Sequence, residues 1–317
     1  MTTYRQHLPQ LEGNLFLTDG GIETTLMFQE GLDLPYFAAF HLLKDEPGTE
    51  ALRRYFTRHA AIARRRGVGF ILESATWRAN SDWGEKLGYS TATLAEANRK
   101  AIALLHELRA ALETDRSPMV ISGCVGPRGD GYDPGAIMSP KAAEVYHAVQ
   151  IKTFAETGAD MVTAITMTNV NEALGVVQAA RAAGMPVGIS FTVETGGKLP
   201  TGQPLQEAIQ EVDAATGRTP AYYMINCAHP RHFETVLDGQ EWMERLRGIR
   251  ANASKCSHAE LDAATDLDDG NPVELGQQYG DLRAQFSQIN VLGGCCGTDH
   301  RHIEQIAMAC MATVEEG

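Results

Sequence analysis

Two adjacent cysteines framed by glycines, Gly293-Gly294-Cys295-Cys296-Gly297, are the residues of this sequence best suited to chemistry. Neighbouring cysteines bridge one another only with strain. The glycines around them let the chain turn sharply, so that both sulfurs can face one object. A divalent zinc ion is such an object, and two thiolates are half of its usual ligand set. A third ligand must therefore come from elsewhere in the chain. The apolar residues 289–292 just before the turn read as a buried strand, and Thr298 and Asp299 just after it as the start of a helix.

Positioning these sulfurs is the task of the surrounding elements. Short, continuous apolar runs occupy residues 14–18, 69–73, 118–122, 160–166, 187–193, 222–226, 249–253 and 289–292. Helical periodicity follows each in turn, over 49–66, 94–112, 140–157, 170–183, 205–215, 230–237, 273–286 and 302–314, with Ser139 placed as an N-cap. Strands without alternation, each followed by a helix, predict a parallel sheet covered by helices. Eight such units predict a single (β/α)8 TIM barrel over residues 1–317, with its active site at the C-terminal ends of the strands. An open doubly wound sheet fits less well, because the first turn, Asp19-Gly20-Gly21-Ile22-Glu23, lacks the G-x-G-x-x-G spacing of a dinucleotide site. Two connections, 20–48 and 254–272, are long and both follow strands. The second carries Glu260, Asp262, Asp266, Asp268 and Asp269 and reads as a solvated acidic loop rather than a cation site.

Composition narrows the partners. A net charge of -13 argues against nucleic acid or anionic membrane as a ligand, since both require basic surface. No apolar run approaches the length of a membrane span, and the polar residues 1–12 lack the apolar core of a secretory leader. The six cysteines are too sparse for a disulfide framework, which predicts reduced thiols and a cytoplasmic protein. Oligomeric state is not legible.

In a barrel, the strand 222–226 ends two strands away from the Cys295-Cys296 turn and on the same face. The residue that follows it is Cys227. Cys227, Cys295 and Cys296 thus form a three-sulfur constellation with one zinc position open, which marks a catalytic rather than a structural site. Cys310 falls on the apolar face of the last helix and reads as core, while Cys124 and Cys256 follow strand ends with no assigned role. His229 and His300 read as helix-start residues.

Asp19-Gly20-Gly21, Gly126-Pro127, Asn226-Cys227 and Gly293-Gly294-Cys295-Cys296-Gly297 resemble, in order, the signatures of the zinc-dependent homocysteine S-methyltransferases. That family includes the betaine–homocysteine and S-methylmethionine–homocysteine enzymes and the homocysteine module of cobalamin-dependent methionine synthase. The resemblance runs from about Leu15 to Ile306, with Ser190-Phe191 and Gly202-Gln203-Pro204-Leu205 similar to the fifth strand and its helix. It implies Zn2+ on Cys227, Cys295 and Cys296, a small-molecule thiol acceptor (by default homocysteine, giving methionine) and a methyl donor. No cobalamin domain accompanies the barrel, so a small onium donor of the S-methylmethionine, S-adenosylmethionine or betaine type is expected. Trp77, Trp83 and Tyr132 are candidates for an aromatic cage around such a cation.

The resemblance also implies substrate contacts at Asp19, Gly20, Gly21, Glu23, Thr76, Ile165 and Asn226. Asp19 resembles the acid that holds the acceptor's amino group. The chain departs from the pattern at Ile165, where the family has a glutamate paired with the ammonium, and at Glu23, where it has a small residue. Isoleucine cannot balance an ammonium. Either Glu23, Glu73 or Glu194 supplies the charge, or the acceptor is another thiol or soft nucleophile. A non-catalytic zinc-binding barrel is a further reading, which requires Cys124 or Cys256 as a fourth ligand.

Overall fold

A computed structural model describes residues 2–315 of the protein. Eight strands close in sequence order into a barrel: β1 (Phe16–Leu17), β2 (Gly69–Glu73), β3 (Met119–Val125), β4 (Met161–Met167), β5 (Val187–Thr192), β6 (Tyr222–Asn226), β7 (Leu246–Ala251) and β8 (Val291–Gly294). Each pairs in parallel with its neighbours, and β1 closes the circle on β8. This is the predicted (β/α)8 barrel.

The covering helices are α1 (Glu46–Arg66), α2 (Thr91–Leu112), α3 (Pro140–Ala155), α4 (Val170–Ala182), α5 (Leu205–Thr216), α6 (Pro230–Phe233), α7 (Pro272–Gln285) and α8 (His300–Glu315). Their starts are set by local chemistry. Asp45, Ser139, Asn169 and Asn271 each accept a hydrogen bond from a free backbone N–H of the first turn. Proline follows at the head of α1, α3 and α7, where no N–H is needed. His229 caps α6 through its ring, in agreement with the reading of that residue as a helix start.

Several strand boundaries differ from the sequence expectation: β1 is shorter and β3 runs on to Val125. β8 runs on through Gly293 and Gly294, because in-register pairing with Arg250 and Ala251 needs only backbone. β7 begins at Leu246 rather than 249, since Arg247 and Arg250 break the apolar run by which the other strands are recognised. α6 is one short turn followed by a 3-10 turn, Glu234–Val236.

Inside the barrel, Phe16, Ile71, Val120, Met161, Tyr222, Met224 and Val291 pack with Leu8 into an apolar layer. Two residues further along the strands, on the same face, the layer becomes polar: Thr18, Glu73, Ser122, Thr163, Asn226 and Arg250, all buried. The lower end is tied down by Asp160. Its Oδ1 accepts the N–H groups of Thr3 and Tyr4, both at 2.9 Å, and its Oδ2 accepts Arg109 at 2.6 Å and the N–H of Ile121 at 2.9 Å. Removing one partner of a buried pair strands the other charge. We expect Asp160→Ala to lower the free energy of urea unfolding by about 3–5 kcal/mol, with the N-terminal residues released to proteolysis.

Candidate metal centre and acceptor site

The metal centre is built over the end of β7. The N–H of Cys227 donates to the Arg250 carbonyl at 3.1 Å, and the N–H of Cys295 donates to the Ala251 carbonyl at 2.8 Å. Both flanking chains thereby fold over β7 and bring the Cys227 and Cys295 Cα atoms to 5.4 Å. Cys227 adopts a left-handed backbone, φ 54°, uncommon for a residue with a side chain. Its carbonyl is held from two sides, by Asn252 Nδ2 at 3.1 Å and by His258 Nε2 at 2.5 Å. On the other flank, Gly21 lies so close to Cys295 that a Cβ would collide with its carbonyl oxygen. Gly297, at φ 79°, completes the turn.

The Sγ atoms of Cys227, Cys295 and Cys296 all lie within 4.8 Å of one another, forming the one candidate metal-ligating group among the described residues. Tetrahedral zinc with bonds near 2.3 Å separates its sulfurs by roughly 3.8 Å, so the donor set fits that ion in type and spacing. In this structure Cys227 and Cys295 are paired as a disulfide, whereas Cys296 is free. Sulfurs placed near enough to share an ion are also near enough to bond on oxidation, and the adjacent pair Cys295-Cys296 is not the one joined. Cys124 is buried on β3 and Cys256 is exposed, and neither belongs to the group.

Tyr132 and His258 form the wall beside these sulfurs. The Tyr132 hydroxyl lies 3.7 Å from Cys296 Sγ, and its ring stacks on His258 with centroids 3.8 Å apart. His258 Nδ1 meets Glu194 Oε1 at 2.7 Å. Burial pushes the Cys296 thiol up, and the Tyr132 hydrogen bond opposes it. His258 escaped the sequence reading because it sits in the acidic connection 254–272, on the short helix His258–Ala263, which Ser257 and Glu260 hold by a capping box. Its only signal was a histidine in a long loop on the barrel's C-terminal face.

Asn226, at the end of β6, ties three strands together. It donates through Nδ2 to Thr166 Oγ1 at 2.8 Å, and its Oδ1 accepts the Thr166 N–H at 3.0 Å and the Ser190 hydroxyl at 2.6 Å. This holds Thr166, a β-branched residue at φ 67°, in a kink of β4. Ile165, beside it, is buried. The Thr76 hydroxyl is likewise engaged, donating to the Cys124 carbonyl at 2.7 Å. Gly20 packs against Thr298.

Asp19 lies in the mouth with both oxygens taken. Oδ1 accepts Arg250 Nη2 at 2.7 Å, and Oδ2 accepts the Tyr55 hydroxyl at 3.1 Å. Of the alternatives for the missing charge, Glu194 is bound to His258 and Glu73 faces Arg250 Nη1 at 3.9 Å. Glu23 is partly buried and has no side-chain partner among the described residues. Burial pushes its carboxyl up to about 7, against the pull of Arg250 and Arg78.

The expected aromatic cage does not form. The Arg78 guanidinium lies 4.1 Å from the Trp77 ring centroid and 3.9 Å from that of Trp83, so these faces already hold a cation of the chain itself. Lys86 Nζ is 3.8 Å from the Trp83 centroid. Tyr132 is occupied by His258.

The family model for homocysteine S-methyltransferases matches residues 16–310. The chain belongs to that family. It is therefore a methyltransferase, and its cysteine cluster is the group compatible with metal binding. Among solved structures it is similar to the Escherichia coli homocysteine methyltransferase MmuM. The oxidized form superimposes with a TM-score of 0.74 at 20% identity, covering 95% of this chain and 97% of that one. The metallated form gives 0.71 at 20% identity, covering 93% and 96%. At this identity the likeness concerns the fold. No curated protein shows significant similarity to the chain.

Two outcomes test this geometry. Replacing His258 with Ala removes one of the two groups holding the Cys227 carbonyl, and we expect zinc affinity to fall by about 10- to 100-fold, as read by competition with a chelator. Burial pushes Glu73 up from 4.5 to about 7. The folded state therefore keeps its proton where the unfolded chain has lost it, so the group's stability contribution is full below 4.5 and lost as pH rises to 7. Relative to Glu73→Gln, the wild type should lose at most about 3 kcal/mol over that range, measured by urea denaturation at both ends.

Proposed function

We propose that the protein transfers a methyl group from a small onium donor to the thiol of a homocysteine-type acceptor at a zinc centre held by Cys227, Cys295 and Cys296. The observation that carries this reading is the convergence of the three sulfurs at the C-terminal mouth of the barrel, within a chain of the homocysteine S-methyltransferase family. Zinc bound there would keep the acceptor sulfur as thiolate at neutral pH while leaving it nucleophilic, because three cysteinates already outweigh the ion's charge.

The rest of the work falls to the chain. Asn252 and His258 fix Cys227 by its carbonyl, and the Tyr132 hydroxyl lies against Cys296. Glu23, the unpaired carboxylate of the mouth, accepts the ammonium that the resemblance would have given to a glutamate at the position of Ile165. The carboxyl is half ionised near pH 7, so ammonium binding strengthens as pH rises through that value. The donor cation meets a mouth whose carboxylates are Asp19, Glu23 and Glu73, with S-methylmethionine, S-adenosylmethionine and betaine as the types to compare. The thiolate requirement suits a reducing cytoplasm.

A second reading, transfer to a different thiol, is favoured by Ile165 together with the engagement of both Asp19 oxygens. Incubation of the reduced, zinc-loaded protein with homocysteine and each donor should yield methionine with at least one of them. Cys227→Ala, Cys295→Ala and Cys296→Ala should each lose bound zinc and all turnover, with melting temperatures showing that the barrel survives. Reduced wild-type protein that takes up no zinc would overturn the mechanism.

A further inference from the structure

Arg250 is a buried cation that the proposed chemistry does not use. It projects from β7 into the polar layer immediately below the metal turn, and it is 7% exposed. Three of its five donors are satisfied on one side: Nε donates to the Gly294 carbonyl at 3.1 Å, and Nη2 to Asp19 Oδ1 at 2.7 Å and to the Gly20 carbonyl at 3.3 Å. Nη1 has no hydrogen-bond partner among the described residues. Its nearest carboxylate, Glu73 Oε2, stands 3.9 Å away, beyond hydrogen-bonding reach. The other Glu73 oxygen, Oε1, is buried and makes no close hydrogen bond among the described residues, while the Ser122 and Thr163 hydroxyls act on the same carboxyl group. Nη1 thus keeps donors that no hydrogen bond uses, and an anion could take them.

The surroundings favour an anion over a cation at that edge. Asp19 is neutralised by Arg250 itself, and burial holds much of Glu73 in its neutral form near pH 7. On the β4 side stands Ile165, which offers no charge. Arg78, the other buried cation of the mouth, donates instead to the Gly129 carbonyl at 2.7 Å and lies between two indole rings. Arg250 Nε bonds the carbonyl of Gly294, the residue before Cys295, which sets the guanidinium beside the cysteine turn.

We propose that Arg250 is a specificity residue of the acceptor site, with Nη1 receiving the carboxylate of a short-chain thiol acid. Recognition of the acceptor by its carboxylate, through a strand β7 arginine, replaces reliance on an ammonium held by Asp19 and strand β4. The inference rests on the proposed reading that a thiol acceptor enters this mouth, and it admits homocysteine and thiol acids without an amino group alike.

The test is isothermal calorimetry on the reduced, zinc-loaded protein with three thiols: homocysteine, 4-sulfanylbutanoate, which lacks the amino group, and 3-aminopropane-1-thiol, which lacks the carboxylate. A charge-assisted hydrogen bond lost from a buried site should weaken 3-aminopropane-1-thiol by about 10- to 100-fold relative to homocysteine. The 4-sulfanylbutanoate should bind more tightly than 3-aminopropane-1-thiol. Arg250→Lys, which keeps the charge but loses the planar fork, should narrow the gap between homocysteine and 3-aminopropane-1-thiol. If that variant fails to fold, the wild-type comparison decides alone. Equal binding of 3-aminopropane-1-thiol and homocysteine overturns the proposal, as does an undiminished gap in a folded Arg250→Lys protein. Methylation of the bound thiols is followed separately: discrimination by carboxylate without any methyl transfer would sink the proposed reaction and leave the Arg250 assignment standing.

Discussion

The site depends on the C-terminal end of one strand, β7. β7 stops at Ala251, and its last two carbonyls, those of Arg250 and Ala251, accept hydrogen bonds from Cys227 and Cys295 on either side. Strands two apart in a sheet are separated by roughly 10 Å. Bonds to the terminal carbonyls of β7 let the flanking chains fold inward over its end, which closes the Cα–Cα distance to 5.4 Å. Everything chemical follows from that closure, because three sulfurs can share an ion only if the gap across β7 is bridged.

The closure has a conformational cost, met by groups on separate elements. Cys227 and Thr166 both sit at positive φ, where a side chain crowds the backbone. Asn252 and His258 hold the first through its carbonyl, and Asn226, itself held by the Ser190 hydroxyl, holds the second through two hydrogen bonds. Adjacent residues Asn226 and Cys227 therefore do different work. One ties β6 to the kink in β4, and the other turns its sulfur over β7. Strain of this kind persists at a site because the surrounding structure over-determines it.

Charge is arranged with the same economy. The mouth contains three carboxylates, Asp19, Glu23 and Glu73, and the buried cation Arg250 stands against two of them. Burial holds Glu23 and Glu73 near 7, so the region stays close to neutral while presenting a carboxylate without a side-chain partner at Glu23 and a nitrogen without a hydrogen bond at Arg250. Arg78 fills the aromatic faces of Trp77 and Trp83, which leaves no empty cage of indoles for a donor cation.

Much of this was legible in the chain. Apolar runs alternating with helical periods identify the barrel, since burial on both faces demands continuous apolar strands and capping residues mark each helix start. Cysteines at the ends of β6 and β8 identify the metal site, because the C-terminal ends of barrel strands share one face. Side-chain partnership was not legible. Asp19 reads from the sequence as a lone acid, whereas the structure sets it against Arg250 and Tyr55, 231 and 36 residues away. His258 looked like part of a solvated loop until it reached the Cys227 carbonyl. The sequence by itself determined the fold and which cysteines could gather at the barrel's mouth, since periodicity and strand-end position are local properties. Only the tertiary structure decided which charges remain free to meet a substrate, because pairing depends on distances across the barrel that no local pattern encodes.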